Sequence, residues 1–311
     1  MLIQLCPLCG SPDQERIGLG HDTRFGIPEE YQIMKCRSCR HVYTSNPPTP
    51  QEMAYLYERY YDLATTEGEG ASRCISPLQQ AKRYRNSLLY RLWRILDGHV
   101  DLFRFLKPGP TLDVGCYTGY DLPLLAELGC TPYGLEPNPS AAEAARRFGY
   151  EVFCGTIQES PWPDEFFENI ILSQVLEHLY DPISDLKKLF ALLRPGGRML
   201  IACPHVDSVY RKLFRMRWAH WHLPFHLHHF SKSSLRFIAR KVGLRVRKLY
   251  TTTPGYWVIM TWRIWRFDRL GYPNRAINKP IGVLERLLLV VPNRIIDFLG
   301  QGDCLVVILE K

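Results

Sequence analysis

The chain has 311 residues, 46% of them hydrophobic and 23% charged, values of an ordinary globular protein that exclude collagen-like, disordered and polytopic membrane classes. Its start, MLIQLCPLCG, places two cysteines where a secretory signal needs an unbroken apolar core, so the expected location is a reducing cytoplasm. The net charge of +8 is uneven: residues 205–299 hold 18 Lys and Arg against 4 Asp and Glu, and the remainder is net negative, which calls for an anionic partner or surface near the C-terminal third.

Residues 1–46 carry Cys6-Pro7-Leu8-Cys9-Gly10 and Cys36-Arg37-Ser38-Cys39-Arg40, two CxxC turns that can point four thiolates at one tetrahedral ion. Four thiolates leave no open position. The expected ion is therefore a structural zinc held by Cys6, Cys9, Cys36 and Cys39, supplying most of the folding free energy of so short a segment. Between the turns Asp13, Glu15, Asp22, Glu29 and Glu30 outnumber Arg16, Arg24 and Lys35, which does not suit a phosphate-binding face. The expected role is packing or contact with substrate, and nucleic acid is not the expected partner.

Residues 47–106 read as a linker and helical entry. Asn46-Pro47-Pro48-Thr49-Pro50 interrupts any regular element, and a helix is expected over 51–62. Its Tyr55, Tyr57, Tyr60 and Tyr61 cannot all face one core at helical periodicity, so some phenols meet solvent or a ligand. From 79 to 106, Leu88, Leu89, Leu92, Ile95 and Leu96, followed by Val100 and Phe103, predict a long amphipathic helical region lying on one face of the sheet that follows.

From Pro110 short β-like runs alternate with helical ones, which predicts a parallel sheet covered by helices on both faces, with ligands at the carboxyl ends of the strands. The first strand, Thr111 to Val114, leads through Asp113-Val-Gly-Cys-Tyr-Thr-Gly119 into a helix expected at about Tyr120, and Glu136 ends the next strand. A glycine turn followed by an acid at that distance points to a nucleoside cofactor whose ribose hydroxyls meet the carboxylate. Arg194-Pro-Gly-Gly197 reads as a helix stop and turn, and Asp181-Pro182 as a helix N-cap.

The runs LDVGCYTGYDL, GLEPNPSAAEAA, FFENIILSQVLEHLYDP and LLRPGGRMLIACP, in that order, resemble the class I S-adenosylmethionine-dependent methyltransferases over about residues 107–250. The resemblance implies an α/β fold with a doubly wound, mostly parallel seven-stranded sheet, here carrying a small N-terminal zinc-binding module and a helical C-terminal insertion. It implies S-adenosylmethionine as cofactor, with Asp113, Gly115, Cys116, Tyr117 and Gly119 at its methionine end and ribose and Glu136 on the ribose hydroxyls. It further puts Pro137 or Asn138 beside the adenine, Thr156 and Ile157 at the adenine edge, and Ser173 to Leu176, including Gln174, beside the transferable methyl. Tyr117 stands where the family usually has a glycine, which argues against a dinucleotide pyrophosphate at this turn.

Glu177 and His178 follow the fourth strand where related enzymes carry an EH pair, making His178 the first candidate base; His226, in Pro224-Phe-His-Leu-His-His-Phe-Ser231, is the second. Tyr61, with Tyr57, is a candidate lid, since some small-molecule methyltransferases close an N-terminal tyrosine helix over the cofactor and aromatic faces suit a sulfonium. His228 and His229 read as helix caps or floor, and without an acid or cysteine inside the histidine cluster a second zinc site is not expected.

Residues 251–300 combine Trp257, Trp262, Trp265, Arg263, Arg266 and Arg269 with apolar runs that fall short of the ~20 residues needed to span a bilayer, and residues 301–311 supply the last strand, Cys304 to Leu309. This insertion reads as a helical cap over the substrate pocket or as a peripheral membrane contact through residues 256–299, and the two are compatible. The expected function is methyl transfer to a small-molecule acceptor, a saccharide or a lipid- or nucleotide-linked glycan intermediate. The paired CxxC also resembles sugar-modifying C-methyltransferases. The alternatives are an RNA methyltransferase using the zinc module and basic region, and a non-catalytic scaffold of the same fold.

Overall fold

The computed structural model describes residues 5–61, 87–269 and 281–311. Strands β1 (Gln14–His21) and β2 (Glu30–Cys36) lie between the two CxxC turns, and with β3 (Val42–Thr44), which follows the second, they form an antiparallel sheet. Helix α1 (Pro50–Tyr61) starts within the proline run, with Pro50 as its first residue and Thr49 and Glu52 bonded reciprocally across the first turn.

Helix α2 (Leu88–Leu96) corrects the sequence expectation. The long helix predicted over 79–106 is nine residues within the described chain, and residues 79–86 lie outside the described residues. Ser87 caps its start, and the left-handed Gly98 (φ +76°) follows its end. Its leucines do not lie on the sheet: Leu88, Leu89, Leu92, Ile95 and Leu96 face solvent, while Arg94 is buried. Val100, Leu102, Phe103, Phe105 and Leu106, in and around a single 3-10 turn, pack on the sheet in their place.

Strands β4 (Gly109–Val114), β5 (Cys130–Glu136), β6 (Glu151–Cys154), β7 (Phe167–Ser173) and β8 (Leu193–Pro204) run parallel. They are linked by helices α3 (Leu122–Glu127), which begins two residues after the expected Tyr120, α4 (Pro139–Arg146) and α5 (Pro182–Leu192). Asn138 and Asp181 cap α4 and α5, each accepting a backbone N–H three residues on. Leu193 pairs with Phe167 and Arg198 with Asn169, so Arg194–Gly197 loops out of the ladder as the expected turn.

The chain continues through α6 (Val209–Phe214), the two-residue β9 (His228–His229), α7 (Lys232–Val242), β10 (Arg245–Thr252), α8 (Gly255–Arg269), α9 (Val283–Phe298) and β11 (Cys304–Glu310). Ser231 and Ser234 close a capping box on α7 by themselves, so His228 and His229 are not its caps. The large sheet has the order β10-β11-β8-β7-β4-β5-β6, with β11 alone antiparallel to its neighbours. Its two faces carry separate apolar clusters, one around Leu172, Leu189 and Ile238 and the other around Leu125, Ala145 and Val306, as a doubly wound fold requires.

The order reverses between β4 and β7, and the crevice at their carboxyl ends is where such a sheet takes a ligand. β10 is parallel to β8, so its end at Thr252 reaches that same edge, in register with Cys304 and Pro204. Helices α8 and α9 therefore leave and rejoin the sheet on the ligand side. The N-terminal module also joins that side: β9 pairs with β3 as the fourth strand of the small sheet, and Cys6, Leu8, Cys36 and Tyr43 pack into the main core.

Candidate active site

The cofactor side is built from the ends of β4 and β5. The Gly115 and Cys116 N–H groups both donate to the Leu135 carbonyl, at 2.7 and 3.2 Å, and pin the loop to the neighbouring strand. Gly115 is left-handed (φ +67°), and a Cβ there would meet Val175 at 2.8 Å, so only glycine lets the loop lie against the end of β7. Tyr117 is also left-handed (φ +50°), which explains why a glycine is usual at its position; its side chain projects into solvent.

Glu136 is buried and accepts the N–H groups of Tyr117 and Asn138, both at 2.9 Å, one on each carboxylate oxygen. Both bonds leave lone pairs for a ribose. Asp113 is also buried; its carboxyl is pushed up by burial and by the neighbouring Asp121 and Glu136 carboxylates. Asp121, absent from the sequence prediction, is raised by burial and partly relieved by Arg94. Three acids crowded around one glycine turn fit a cationic ligand with a diol, and S-adenosylmethionine offers a sulfonium, an ammonium and a ribose.

The remaining cofactor candidates are less uniform. Cys116 is buried, and a Cβ on Gly134 would stand 2.7 Å from its sulfur. Gly119 (φ +74°) approaches Ala145 of α4, and Pro137 is exposed at the mouth of the crevice. Thr156 is tied to Glu159 by its N–H and hydroxyl, and Ile157 lies in the apolar core, so neither side chain reaches out as a polar adenine reader. Ser173 is exposed at the end of β7, whereas Gln174 (φ +58°) donates its N–H to Ala202 and its side chain to Cys304, turned toward β8 and β11.

Next to Gln174, the 3-10 turn Leu176–His178 carries the acid and base candidates. The Phe225 carbonyl lies 3.0 Å from His178 Nδ1 and can only accept, so that bond puts the proton on Nδ1 and leaves Nε2 as the base nitrogen. The Tyr57 hydroxyl is 2.8 Å from the same nitrogen, bringing α1 over the site. The Tyr61 side chain lies outside the described residues. Burial pushes the His178 imidazole down to about 4, so it is neutral at pH 7.

His226 is fixed through Nδ1, 2.9 Å from the His220 carbonyl, and its Nε2 lies 3.9 Å from a Glu177 oxygen. Glu177 is fully buried with neither carboxylate oxygen hydrogen-bonded, and burial raises it to about 8. The acid missing from the histidine cluster in sequence thus arrives from the end of β7: one ligand atom each of Glu177, His178 and His226 lie within 4.8 Å of one another. A further buried acid, Asp303, accepts from Ser208 Oγ (2.7 Å) and Trp218 Nε1 (2.8 Å). No sequence motif marks it.

The N-terminal module braces this wall. Thr44 donates its hydroxyl to the His226 carbonyl at 3.1 Å, and Phe25 meets Phe225 edge-on at 5.6 Å and lies tilted against His222 at 5.9 Å. In the module itself the four cysteine sulfurs lie within 4.8 Å of one another, with Cys6–Cys39 and Cys9–Cys36 both at 3.5 Å.

The methyltransferase domain family matches residues 85–249, more than half of the chain. The chain belongs to the methyltransferase domain family. Its sheet order and single reversed strand are those of a Rossmann-like class I methyltransferase. Among its relatives, a probable S-adenosylmethionine-dependent methyltransferase of Mycolicibacterium smegmatis is 32% identical over 30% of this chain and 37% of that one. A ubiquinone biosynthesis O-methyltransferase of Methylocella silvestris is 32% identical over 49% of this chain and 62% of its own length. This methyltransferase domain thus spans between about two and three fifths of the length of these curated relatives. The solved structure of an S-adenosylmethionine-dependent methyltransferase from Thermotoga maritima is 20% identical, with a TM-score of 0.47 over 74% of this chain and 97% of that one.

Proposed function

We propose that the protein transfers a methyl group from S-adenosylmethionine to a small-molecule acceptor, a saccharide or a lipid- or nucleotide-linked glycan intermediate. The observation that carries the reading is Glu136, buried at the end of β5 with both oxygens oriented by backbone N–H groups, facing the Gly115–Gly119 turn. Asp113, Gly115, Tyr117 and Glu136 hold the cofactor, which supplies an activated methyl on its sulfonium when bound. The acceptor lies between that methyl and the Glu177-His178-His226 wall. His178 Nε2 takes a proton from the acceptor nucleophile, while Phe225 and Tyr57 hold the ring and Glu177, protonated at pH 7, keeps the wall uncharged.

A small acceptor is favoured because α1, through Tyr57, and the module, through Phe25, crowd the approach to His178. The O-methyltransferase of Methylocella silvestris supports oxygen as the receiving atom. The N-terminal cysteines hold a structural zinc in this reading: tetrahedral ligands ~2.3 Å from zinc stand ~3.8 Å apart, close to the sulfur spacings here. Calorimetric titration with S-adenosylmethionine and its demethylated product tests the proposal. Binding by the wild type that is weakened about thirtyfold in Glu136→Ala is expected; a folded wild type that binds neither overturns it.

A further inference from the structure

Among the described residues no helix is long and apolar enough to cross a membrane, yet α9 turns an almost unbroken apolar stripe outward. Leu284, Leu288, Val291, Ile295 and Phe298 recur at helical spacing with exposures from 56 to 91%, the reverse of a helix packed on a core. Asn293 and Arg294 point inward instead, donating to the Thr253 carbonyl at 3.3 and 2.8 Å, while Glu285 in the first turn pairs with Arg263 of α8. Helix α2 lies beside α9, joined through Arg294 to the Ile95 carbonyl at 2.9 Å and through Arg286 to Asp97. It too turns leucines outward, with Leu89 at 80% exposure.

Exposed cations stand on the helices that pack next to α9. On α8, which packs against α9, Arg266 lies over the exposed Trp262 ring at 5.6 Å, and on α6, packed against α8, Lys212 and Leu213 are exposed, as is Arg215 just past its end. This is the part of the chain with 18 Lys and Arg against 4 Asp and Glu. Exposed aliphatics with Trp and Arg/Lys on adjacent helices suit the plane where acyl chains meet headgroups. A symmetric dimer through this face would oppose two surfaces of the same sign, whereas an anionic bilayer complements both the apolar and the basic part.

We propose that α2 and α9 form a docking surface for an anionic lipid membrane, holding the protein in the headgroup plane without spanning it. Because α8 and α9 spring from the carboxyl edge of the sheet, the docked face lies on the same side as the cofactor crevice. The inference does not depend on the methyl-transfer reading, since it is measured as binding alone.

The test is cosedimentation of the full chain with vesicles of phosphatidylcholine alone and of phosphatidylcholine with phosphatidylglycerol, alongside Leu288→Glu, Phe298→Glu and Arg266→Glu. These side chains are exposed, so the variants keep the wild-type melting temperature. Binding to the anionic vesicles about tenfold above the neutral ones, reduced about tenfold by either apolar substitution and weakened by Arg266→Glu and by salt, is expected. Absence of binding, equal binding to both vesicles, or binding untouched by Leu288→Glu and Phe298→Glu overturns the proposal. So does a concentration-dependent dimer, dissolved by Phe298→Glu, that binds no vesicle, which assigns the face to a second copy.

Discussion

Glu136 and His178 are each oriented by backbone groups around them. Glu136 is oriented from both sides by N–H groups, so truncating it removes the charge-assisted bonds that the oriented carboxylate offers the ribose hydroxyls, worth about 2 kcal/mol, or about thirtyfold in cofactor affinity. His178 is set by a carbonyl and a phenol. His178→Ala is expected to lower kcat about 100-fold with cofactor affinity unchanged, and Tyr57→Phe to lower it only a fewfold; stopped-flow turnover together with calorimetry separates the two quantities. At Gly115, alanine meets both a left-handed backbone and Val175, so Gly115→Ala costs about 2 kcal/mol of stability in denaturant titration and weakens cofactor binding as well. The positions of these residues were legible in sequence because each sits in a short, recognisable motif. Asp121 and Asp303 were not, since their burial and partners come from segments far away in the chain.

At the level of elements, β9 couples the N-terminal module to the wall that carries His226. Only two residues long, it completes the small sheet on β3, and the residues just before it carry His226. If the four cysteines hold zinc as proposed, its loss loosens the His226 wall as well as the module. Chelation, or Cys36→Ser, is expected to lower the melting temperature and to reduce kcat more than cofactor affinity, restored by adding zinc to the chelated wild type but not to the variant. Sequence periodicity located the cores of β4, β5, β7, β8 and β11 because alternating βα units bury near-continuous apolar runs. It misplaced α2 for a physical reason: an apolar stripe says that a face avoids water, not what covers it. Here the sheet face is already covered by Leu102 and its neighbours, and the α2 leucines remain outside.

On the scale of the whole molecule, several buried histidines are held uncharged. His41, His222 and His226 are held far down by burial and by neighbouring cations or histidines, and burial brings His228 to about 4 and His229 to about 3. The folded state thus binds fewer protons than the unfolded chain below the ordinary value of 6.5. Their contribution to stability is complete above that pH and is lost as pH falls toward 4. Glu177 acts in the opposite sense: its raised carboxyl stabilises the fold below its ordinary 4.5, and that contribution fades as pH rises through about 8. Thermal melts across pH 4 to 9 are expected to show a steep acid limb and a shallower alkaline decline, the latter flattened in Glu177→Gln.

The sequence by itself determined the doubly wound sheet, the four-cysteine cluster and the glycine turn with its distal acid, because each is written in local spacing: strand and helix periods, CxxC turns, a loop that only glycine allows. Only the tertiary structure decided that Glu177 meets His226, that β3 pairs with β9, and that α2 and α9 turn their apolar faces to solvent. Those facts join residues from about 50 to nearly 200 positions apart, or depend on which surface is already occupied, and a chain's local pattern contains neither.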